Sequence, residues 1–140
     1  MSKSQFTIST EVERGKVIIT SCVVGTVKDG KFDGFRARAI WDTGASRSAI
    51  SERIASKLRL NYLGHHNVGL AHGDDVSLPV CSGACFMLCE GLTCSVSAVD
   101  VIDLANDDFD AVIGMDIISC GMLLMQPSEF GLSFTFTICE

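Results

Sequence analysis

The sequence predicts an all-β domain, mostly β-strands with one or two short helices, whose strands close or nearly close into a barrel. Three observations predict this class. Short runs rich in β-branched residues recur along the chain, and turns containing Gly, Asp or Pro separate them. Only two brief stretches are predicted to be helical. Many short strands within one domain favour closure, because closure removes exposed strand edges.

The first part of the chain is predicted to hold two strands and a helix. β-Branched residues place a strand at 16–24, and an Asp-Gly turn at 28–31 leads toward a second strand at 35–41. Ser51 is the predicted N-cap of a helix that ends near Arg59. An apolar residue recurs at every fourth position there and gives one buried stripe, formed by Ile50, Ile54 and Leu58.

The rest of the chain is predicted to form further short strands. Residues 67–80 form a hairpin with its tip at 71–75. Strands at 81–87 and 92–102 flank a Glu-Gly turn, and an acidic loop follows them. The last elements are a short strand at 109–113, a helical turn at 115–119 that Gly121 ends with a positive φ, and strands at 122–125 and 131–138.

Length and charge limit the classes of function. The 140 residues fit one domain, and 47% apolar with 20% charged residues is a globular composition. A net charge of −6 with scattered basic residues argues against a nucleic-acid partner, which needs clustered Lys and Arg. No apolar run approaches the roughly 18 residues of a membrane span, so no membrane partner is predicted.

Seven cysteines and an N-terminus that lacks the apolar core of a secretory leader indicate a cytoplasmic protein. Free thiols in a reducing compartment are the simplest explanation of an odd number. Four cysteines with His65 and His66 upstream leave a zinc site open, namely Cys81, Cys85, Cys89 and Cys94. Zinc sites favour two-residue gaps within each cysteine pair, so small core residues are the preferred interpretation, and no metal or cofactor is predicted.

The most informative motif is Asp42-Thr43-Gly44-Ala45, which follows the apolar run at 39–41. It places one carboxylate on a tight turn at the end of a strand. Two aspartates that share a proton can activate water against a peptide bond. Because the motif occurs once, this chemistry requires a symmetric dimer. Thr43 could bond across the two-fold axis, Gly44 permits close approach, and Ala45 and Ser46 leave room for substrate.

Two blocks of the sequence resemble the retropepsin-like aspartic proteases. Residues 39–46 and 48–51 resemble the active-site stretch of that family, and residues 109–118 are similar to its apolar-apolar-Gly segment. The resemblance covers roughly Val17 to Met125. It implies the retropepsin-like closed β-barrel, the acid protease fold, as a single domain over residues 1–140 with a C-terminal strand at 130–138.

The resemblance implies an aspartic endopeptidase that acts on peptides or proteins as a homodimer. Asp42 from each subunit would form the catalytic dyad, in which two close carboxylates hold one proton. One carboxylate takes a proton from water while the other protonates the scissile carbonyl, with greatest activity expected at mildly acidic pH. Ile113 and Gly114 are expected to support the turn by packing beside it.

The hairpin tip is expected to be the flap that covers substrate in this family. The predicted flap and substrate-binding residues are Ala71, His72, Gly73 and Asp74. An exposed loop histidine without a role is the alternative interpretation of His72. Asp74 and Asp75 either select basic side chains of the substrate or only keep the loop solvated.

A catalytically idle dimerisation or peptide-binding module is the alternative function, because a fold does not carry its activity with it. Arg47 follows the active-site turn, and its charge could hold Asp42 ionised and disable the dyad. The dimer surface is also open. The strand at 130–138 either interleaves with a second copy or completes the chain's own barrel, with Phe6 and Ile8 as candidates for an N-terminal partner strand.

Overall fold

The computed structural model describes residues 5–69, 73–105 and 107–139. Its strands are β1 (Gln5–Val12), β2 (Ile19–Lys28), β3 (Lys31–Trp41), β4 (Ala49–Ser51), β5 (Asn61–Gly69), β6 (Asp75–Ser82), β7 (Cys85–Cys89), β8 (Leu92–Ser95), β9 (Val99–Ile102), β10 (Ala111–Ile113), β11 (Met122–Ser128) and β12 (Gly131–Cys139). The helices are α1 (Glu52–Leu58) and α2 (Met115–Ile118). The predicted all-β class with two short helices is therefore confirmed.

The strands form two sheets. Strands β1, β12 and β11 make a three-stranded sheet in that order. The other nine strands form one sheet in the order β5-β6-β9-β4-β10-β3-β2-β7-β8. Within the described ranges, neither helix is long and apolar enough to cross a membrane, since α1 has seven residues and α2 has four.

The centre of the nine-stranded sheet explains where the Asp-Thr-Gly motif lies. Strand β10 pairs in parallel with β3, where Ile113 lies opposite Trp41, and antiparallel with β4, where Val112 lies opposite Ala49. Because β3 and β4 lie on opposite sides of β10, the connection at 42–48 must cross the end of β10. This connection, called the active-site segment below, carries the motif.

Aromatic packing joins the two sheets next to this segment. The ring of Trp41 lies 4.9 Å, centroid to centroid, from Phe134 and from Phe136 of β12. Both phenylalanines are fully buried, and Trp41 Nε1 donates a hydrogen bond to Thr20 Oγ1 at 2.9 Å. The residue directly before Asp42 is therefore fixed by the core of the protein.

Two local predictions are confirmed in detail. The hairpin between β2 and β3 turns at Asp29 and Gly30, with φ of 52° and 75°, as an Asp-Gly turn requires. The side chain of Ser51 caps α1 by accepting a hydrogen bond from the Ile54 amide at 3.2 Å. The predicted stripe is buried, and it consists of Ile50, Ile54 and Leu58.

The terminal strands complete the fold of their own chain. Strand β12 lies between β1 and β11, and Phe6 pairs with Ile138 while Ile8 pairs with Phe136. The predicted N-terminal strand partner is confirmed. The C-terminal strand therefore has both neighbours within one chain, and β11 is left at the edge of its sheet.

Several predicted strands are wrong in extent. The strand predicted at 81–87 is two strands, because Gly83 adopts a φ of 93° and turns the chain. The strand predicted at 92–102 is interrupted near Val96, whose amide donates to the Ala84 carbonyl at 3.3 Å. Strand β2 begins and ends later than the predicted 16–24, and β5 begins earlier than the predicted hairpin.

The role predicted for Gly121 is also wrong. Helix α2 ends at Ser119 in a right-handed conformation, and Gly121 has no positive φ. Glycine is required there for space, because a Cβ atom would lie 2.5 Å from the carbonyl oxygen of Thr137. The close approach of β12, and not the conformation of the backbone, selects this residue.

Candidate active site

Asp42 directly follows β3, and the neighbouring strand β10 holds its backbone. The Asp42 amide donates to the Ile113 carbonyl at 2.9 Å. Within the turn, Asp42 Oδ1 accepts a hydrogen bond from the Gly44 amide at 2.8 Å, and the Ala45 amide donates to the Asp42 carbonyl at 3.2 Å. The carboxylate therefore has a defined orientation relative to the sheet.

The turn faces outward from the single chain. Asp42, Thr43, Gly44 and Ser46 are exposed, and Ala45 is half-buried. A Cβ atom at Gly44 would lie 3.1 Å from Asp42 Oδ1, a crowded distance for the bound oxygen. The arrangement leaves an ordered carboxylate accessible to another molecule.

Ile113 and Gly114 lie against the back of the turn. Ile113 is fully buried. A Cβ atom at Gly114 would lie 2.8 Å from both the Ala45 carbonyl oxygen and the Arg47 carbonyl carbon. The Met115 amide also donates to the Ala45 carbonyl at 2.7 Å. The contact is between two backbones, and only glycine permits it.

Ser48 and Asp116 form a buried connection that the sequence interpretation missed. Ser48 is fully buried; its Oγ donates to Asp116 Oδ1 at 2.6 Å and accepts from the Gly114 amide at 3.0 Å. The Ser48 amide donates to Asp116 Oδ2 at 2.9 Å. These bonds join the end of the active-site segment to the start of α2. A serine just before the apolar pair of β4, with an acid in the first turn of α2, is the only signal in the sequence.

The guanidinium of Arg47, the residue that the alternative function places near Asp42, makes its described contacts with Asp100 and His66. Its Nη1 lies 3.4 Å from Asp100 Oδ1 of β9, and His66 Nδ1 of β5 lies 3.1 Å from the same oxygen. Burial raises the pKa of Asp100, while the charges of His66 and then Arg47 lower it, and the charge of Asp116 raises it. This cluster of residues 47, 66 and 100 was not predicted, because its members are far apart in sequence.

The predicted flap is a hairpin of β5 and β6. Its tip residues Ala71 and His72 lie outside the described residues. Gly73 is exposed with a φ of 96°, and Asp74 is exposed. The described contact between this hairpin and the active-site segment is made by His66, in the middle of β5, and not by a residue predicted from the sequence.

The four cysteines of the alternative zinc site lie on three strands, with Cys81 on β6, Cys85 and Cys89 on β7, and Cys94 on β8. Cys81 and Cys85 are buried, and Cys89 and Cys94 are half-buried. Cys85 Sγ lies 3.4 Å from Ser95 Oγ, which is a hydrogen-bond partner across the β7–β8 pair. Among the residues that the structure describes, no group of three or more His, Cys, Asp and Glu side chains is placed to hold a metal ion.

Comparisons with known proteins bear on the family and the fold of the chain. The sequence model described as "Aspartyl protease" matches residues 27–117, a span that includes both Asp42 and Gly114. Among solved structures, a retropepsin-like aspartic protease from Rickettsia conorii is similar with a TM-score of 0.57 at 14% identity, covering 99% of this chain and 96% of that chain. A comparison with curated proteins finds no significant match.

The two comparisons bear on different levels. At 14% identity the structural likeness concerns the fold, and it confirms the predicted retropepsin-like acid protease fold. The sequence match covers well over half of the chain and contains the Asp-Thr-Gly turn together with the glycine segment behind it. The chain therefore belongs to the aspartyl protease family.

Proposed function

We propose that this chain is an aspartic endopeptidase in which Asp42 from each subunit of a homodimer forms the catalytic dyad. The observation that carries the proposal is the turn itself. It offers one exposed carboxylate per chain, oriented by the Gly44 amide and anchored through the Ile113 carbonyl. Since an aspartic dyad needs two carboxylates, one chain supplies half of the site.

The reaction follows from two carboxylates at close range. Like charges so near cannot both ionise at moderate pH, so the pair holds one proton over a range of pH. The ionised Asp42 takes a proton from a water molecule, which attacks the scissile carbonyl carbon. The protonated Asp42 gives its proton to the carbonyl oxygen, which forms a tetrahedral diol. The first Asp42 then passes the proton that it took from water to the leaving nitrogen, while the second takes a proton back from one hydroxyl of the diol. The C–N bond breaks, an amine and a carboxylic acid leave, and the pair again holds one proton. Activity is greatest at mildly acidic pH, where one proton is shared.

The substrate in this proposal is an extended peptide or protein segment. It lies between the β5–β6 hairpin and the active-site segment, with Ala71, His72, Gly73 and Asp74 as its predicted contacts on the hairpin. Ala45 and Ser46 leave room beside the carboxylates, while Ile113 and Gly114 hold the turn from behind. The proposed reaction needs only the two carboxylates and a water molecule, so it calls for no cofactor.

The edge strand β11 supports a dimer. Its exposed apolar side chains lie on both faces: Met122 is 71% and Leu124 49% exposed on one face, Met125 is 50% exposed on the other, and Phe130 in the following turn is 70% exposed. A cavity of about 250 Å³ lies between this strand and the turn, and Thr43 and Met125 both line it. The face of β11 that carries Met125 is thus continuous with the motif.

The size of this surface suits an interface between two copies. The four exposed side chains offer roughly 500 Å² of apolar area, more than half of the ~800 Å² that each partner gives to a standard interface. None of them carries a charge, so a two-fold axis would bring no like charges together. Such an axis near the middle of β11 would also bring the two Asp42 turns toward each other.

The proposal places the protein in the cytoplasm. The described cysteines, including the buried Cys22, Cys81 and Cys85, are present as thiols. A reducing compartment keeps thiols in this form.

Cleavage of a mixed peptide library tests the proposal. The native chain and Asp42→Asn are compared at pH 4 to 7, and the mass in solution is recorded for both. Cuts by the native dimer alone would support the Asp42 dyad. A folded native dimer that makes no cuts would instead favour an idle dimerisation or peptide-binding module.

A charge on the apolar edge tests the interface separately. Leu124→Lys should shift the protein from dimer to monomer and remove cleavage, because two lysines would face each other without partners. Thr93→Lys, at an exposed polar position on the edge strand β8 of the other sheet, is the matched control and should remain an active dimer. If Leu124→Lys remains a dimer with full activity, the subunits do not meet through β11.

A further inference from the structure

A buried carboxylate connects the hairpin to the active-site segment. Asp100 is only 6% exposed, and its Oδ1 lies between a guanidinium and an imidazole from different parts of the chain. Arg47 Nη1 is 3.4 Å from this oxygen and His66 Nδ1 is 3.1 Å from it. Arg47 belongs to the active-site segment and His66 to β5, so a single carboxylate oxygen contacts a side chain from each of these two segments.

The backbone around Asp100 makes it a fixed anchor. Asp100 pairs with Val80 of β6 on one side and with Ala49 of β4 on the other. Its amide also donates to the Ser48 carbonyl at 3.1 Å. Because the backbone of Asp100 is held between two strands, its carboxylate has a fixed position, and the side chains of Arg47 and His66 are positioned by their contacts with it.

The ionisable groups around His66 are few. Its partner across the hairpin is Leu78 of β6, which does not titrate. Arg47 Nη1 lies 3.5 Å from His66 Nδ1, and Asp116 acts on Asp100 through its charge. The adjacent His65 is a separate group, because it makes its contacts with Tyr62.

The proton on His66 decides which contact its Nδ1 makes. This atom is within reach of a donor, Arg47, and of an acceptor, Asp100. One nitrogen cannot accept from the first and donate to the second at the same time. An imidazolium, or an imidazole that carries its proton on Nδ1, donates to the carboxylate, but only the imidazolium brings a positive charge to it. An imidazole with a bare Nδ1 accepts from the guanidinium and leaves Asp100 to Arg47 alone.

We propose that Arg47, Asp100 and His66 form a proton-dependent link that positions the β5–β6 hairpin against the active-site segment. Both cations bind the anchor only when the carboxyl is ionised and the imidazole is protonated. Loss of the imidazole proton removes one of the two positive charges beside the carboxylate, so the link weakens as pH rises. It weakens again at low pH, when Asp100 gains a proton. Its effect on turnover rests on the proposed protease function, but the link itself does not.

Amide hydrogen exchange of the native chain tests the link without any need for cleavage. Protection of the β5 and β6 amides is measured from pH 4 to pH 8 and corrected for the intrinsic exchange rate. Native protection should pass through a maximum at mildly acidic pH and fall about two- to fivefold toward pH 8, the range expected for a partly exposed ion pair. His66→Asn should remove this dependence, and His65→Asn, on the same strand, should keep it.

Two results would overturn the link. One is native protection that does not change between mildly acidic pH and pH 8. The other is the same pH dependence in His66→Asn as in the native chain. Asp100→Asn should also abolish the dependence, but the two histidine variants decide the matter if that variant does not fold. The experiment measures hydrogen exchange and not cleavage, so exchange that does not depend on pH would refute the link without bearing on the dyad proposal. Likewise, a protein that cleaves no peptide would refute the dyad proposal without bearing on the link.

Discussion

The connection between Ser48 and Asp116 predicts a large effect from the removal of one hydroxyl group. In Ser48→Ala, Asp116 Oδ1 loses its hydrogen bond of 2.6 Å. The Gly114 amide loses its acceptor at 3.0 Å and is left buried without a partner. Ser48 and Gly114 are buried, so no solvent replaces the bond to the Gly114 amide, whereas Asp116 is half-buried and keeps its bonds from the Ser48 and Ile117 amides.

The magnitude follows from these two losses. A hydrogen bond to a charged group contributes about 1.5–3 kcal/mol, and a buried donor left unpaired costs about 1–3 kcal/mol. The two overlap because they share one hydroxyl group, so we expect Ser48→Ala to lower the free energy of unfolding by about 3 kcal/mol. For a domain of this size that corresponds to a fall in Tm of roughly 10 °C.

Chemical denaturation of the native chain and the variant at neutral pH measures this difference. Ser46→Ala is the matched control, because Ser46 is in the same segment but exposed, and it should change the free energy of unfolding by less than about 0.5 kcal/mol. If Ser48→Ala is no less stable than Ser46→Ala, the hydroxyl does not hold the active-site segment to α2 and the reasoning is refuted.

Three further predictions concern the surroundings of the turn. Gly114→Ala should lower the free energy of unfolding by about 1–3 kcal/mol in chemical denaturation, because the added methyl group would lie 2.8 Å from backbone atoms. Gly69→Ala is the control and should lower it far less, since the nearest atom there is 3.6 Å away. Equal losses of stability in the two variants would contradict the close packing at Gly114. Burial, with the charge of Asp110, raises the pKa of Cys22 to about 12. Iodoacetamide at pH 8 should therefore label the exposed Cys120 and Cys139 before Cys22, as followed by mass spectrometry. Labelling of Cys22 at the same rate would contradict this prediction. Burial raises the folded-state pKa of Asp100 above its unfolded value, so this carboxyl adds most stability at low pH and loses that contribution as pH rises through the folded pKa. The free energy of unfolding of the native chain, measured relative to that of Asp100→Asn, should therefore decrease between about pH 3 and pH 7. An increase over this range would contradict the raised pKa of Asp100.

The elements predicted well from the sequence are those that local rules determine. Ser51 caps α1, and the stripe of apolar residues in that helix is buried as its spacing predicts. Asp29 and Gly30 form the turn that an Asp-Gly pair favours. The Asp42 turn follows from its own residues as well, because the carboxylate bonds the Gly44 amide two positions on.

The parts that the sequence could not provide depend on contacts between distant segments. Whether a β-branched run is one strand or two depends on the turns and hydrogen bonds that the rest of the fold imposes. The chain turns at Gly83 through a positive φ, and the run around Val96 is interrupted where the Val96 amide bonds the carbonyl of Ala84. The cluster at Asp100 joins three segments that no local pattern connects. The sequence predicts that Gly121 ends a helix, whereas the structure requires glycine there because the carbonyl oxygen of Thr137 leaves no space for a Cβ atom.

Subunit mixing tests the central claim most directly. Native chain and Asp42→Asn are unfolded together, refolded in varied proportions and assayed for cleavage at mildly acidic pH. If the dyad takes one Asp42 from each subunit, only native–native dimers cut, and an equal mixture should keep about one quarter of the native activity. Activity that falls in direct proportion to the native fraction, about one half in the same mixture, would show that each chain acts alone and would contradict the shared dyad.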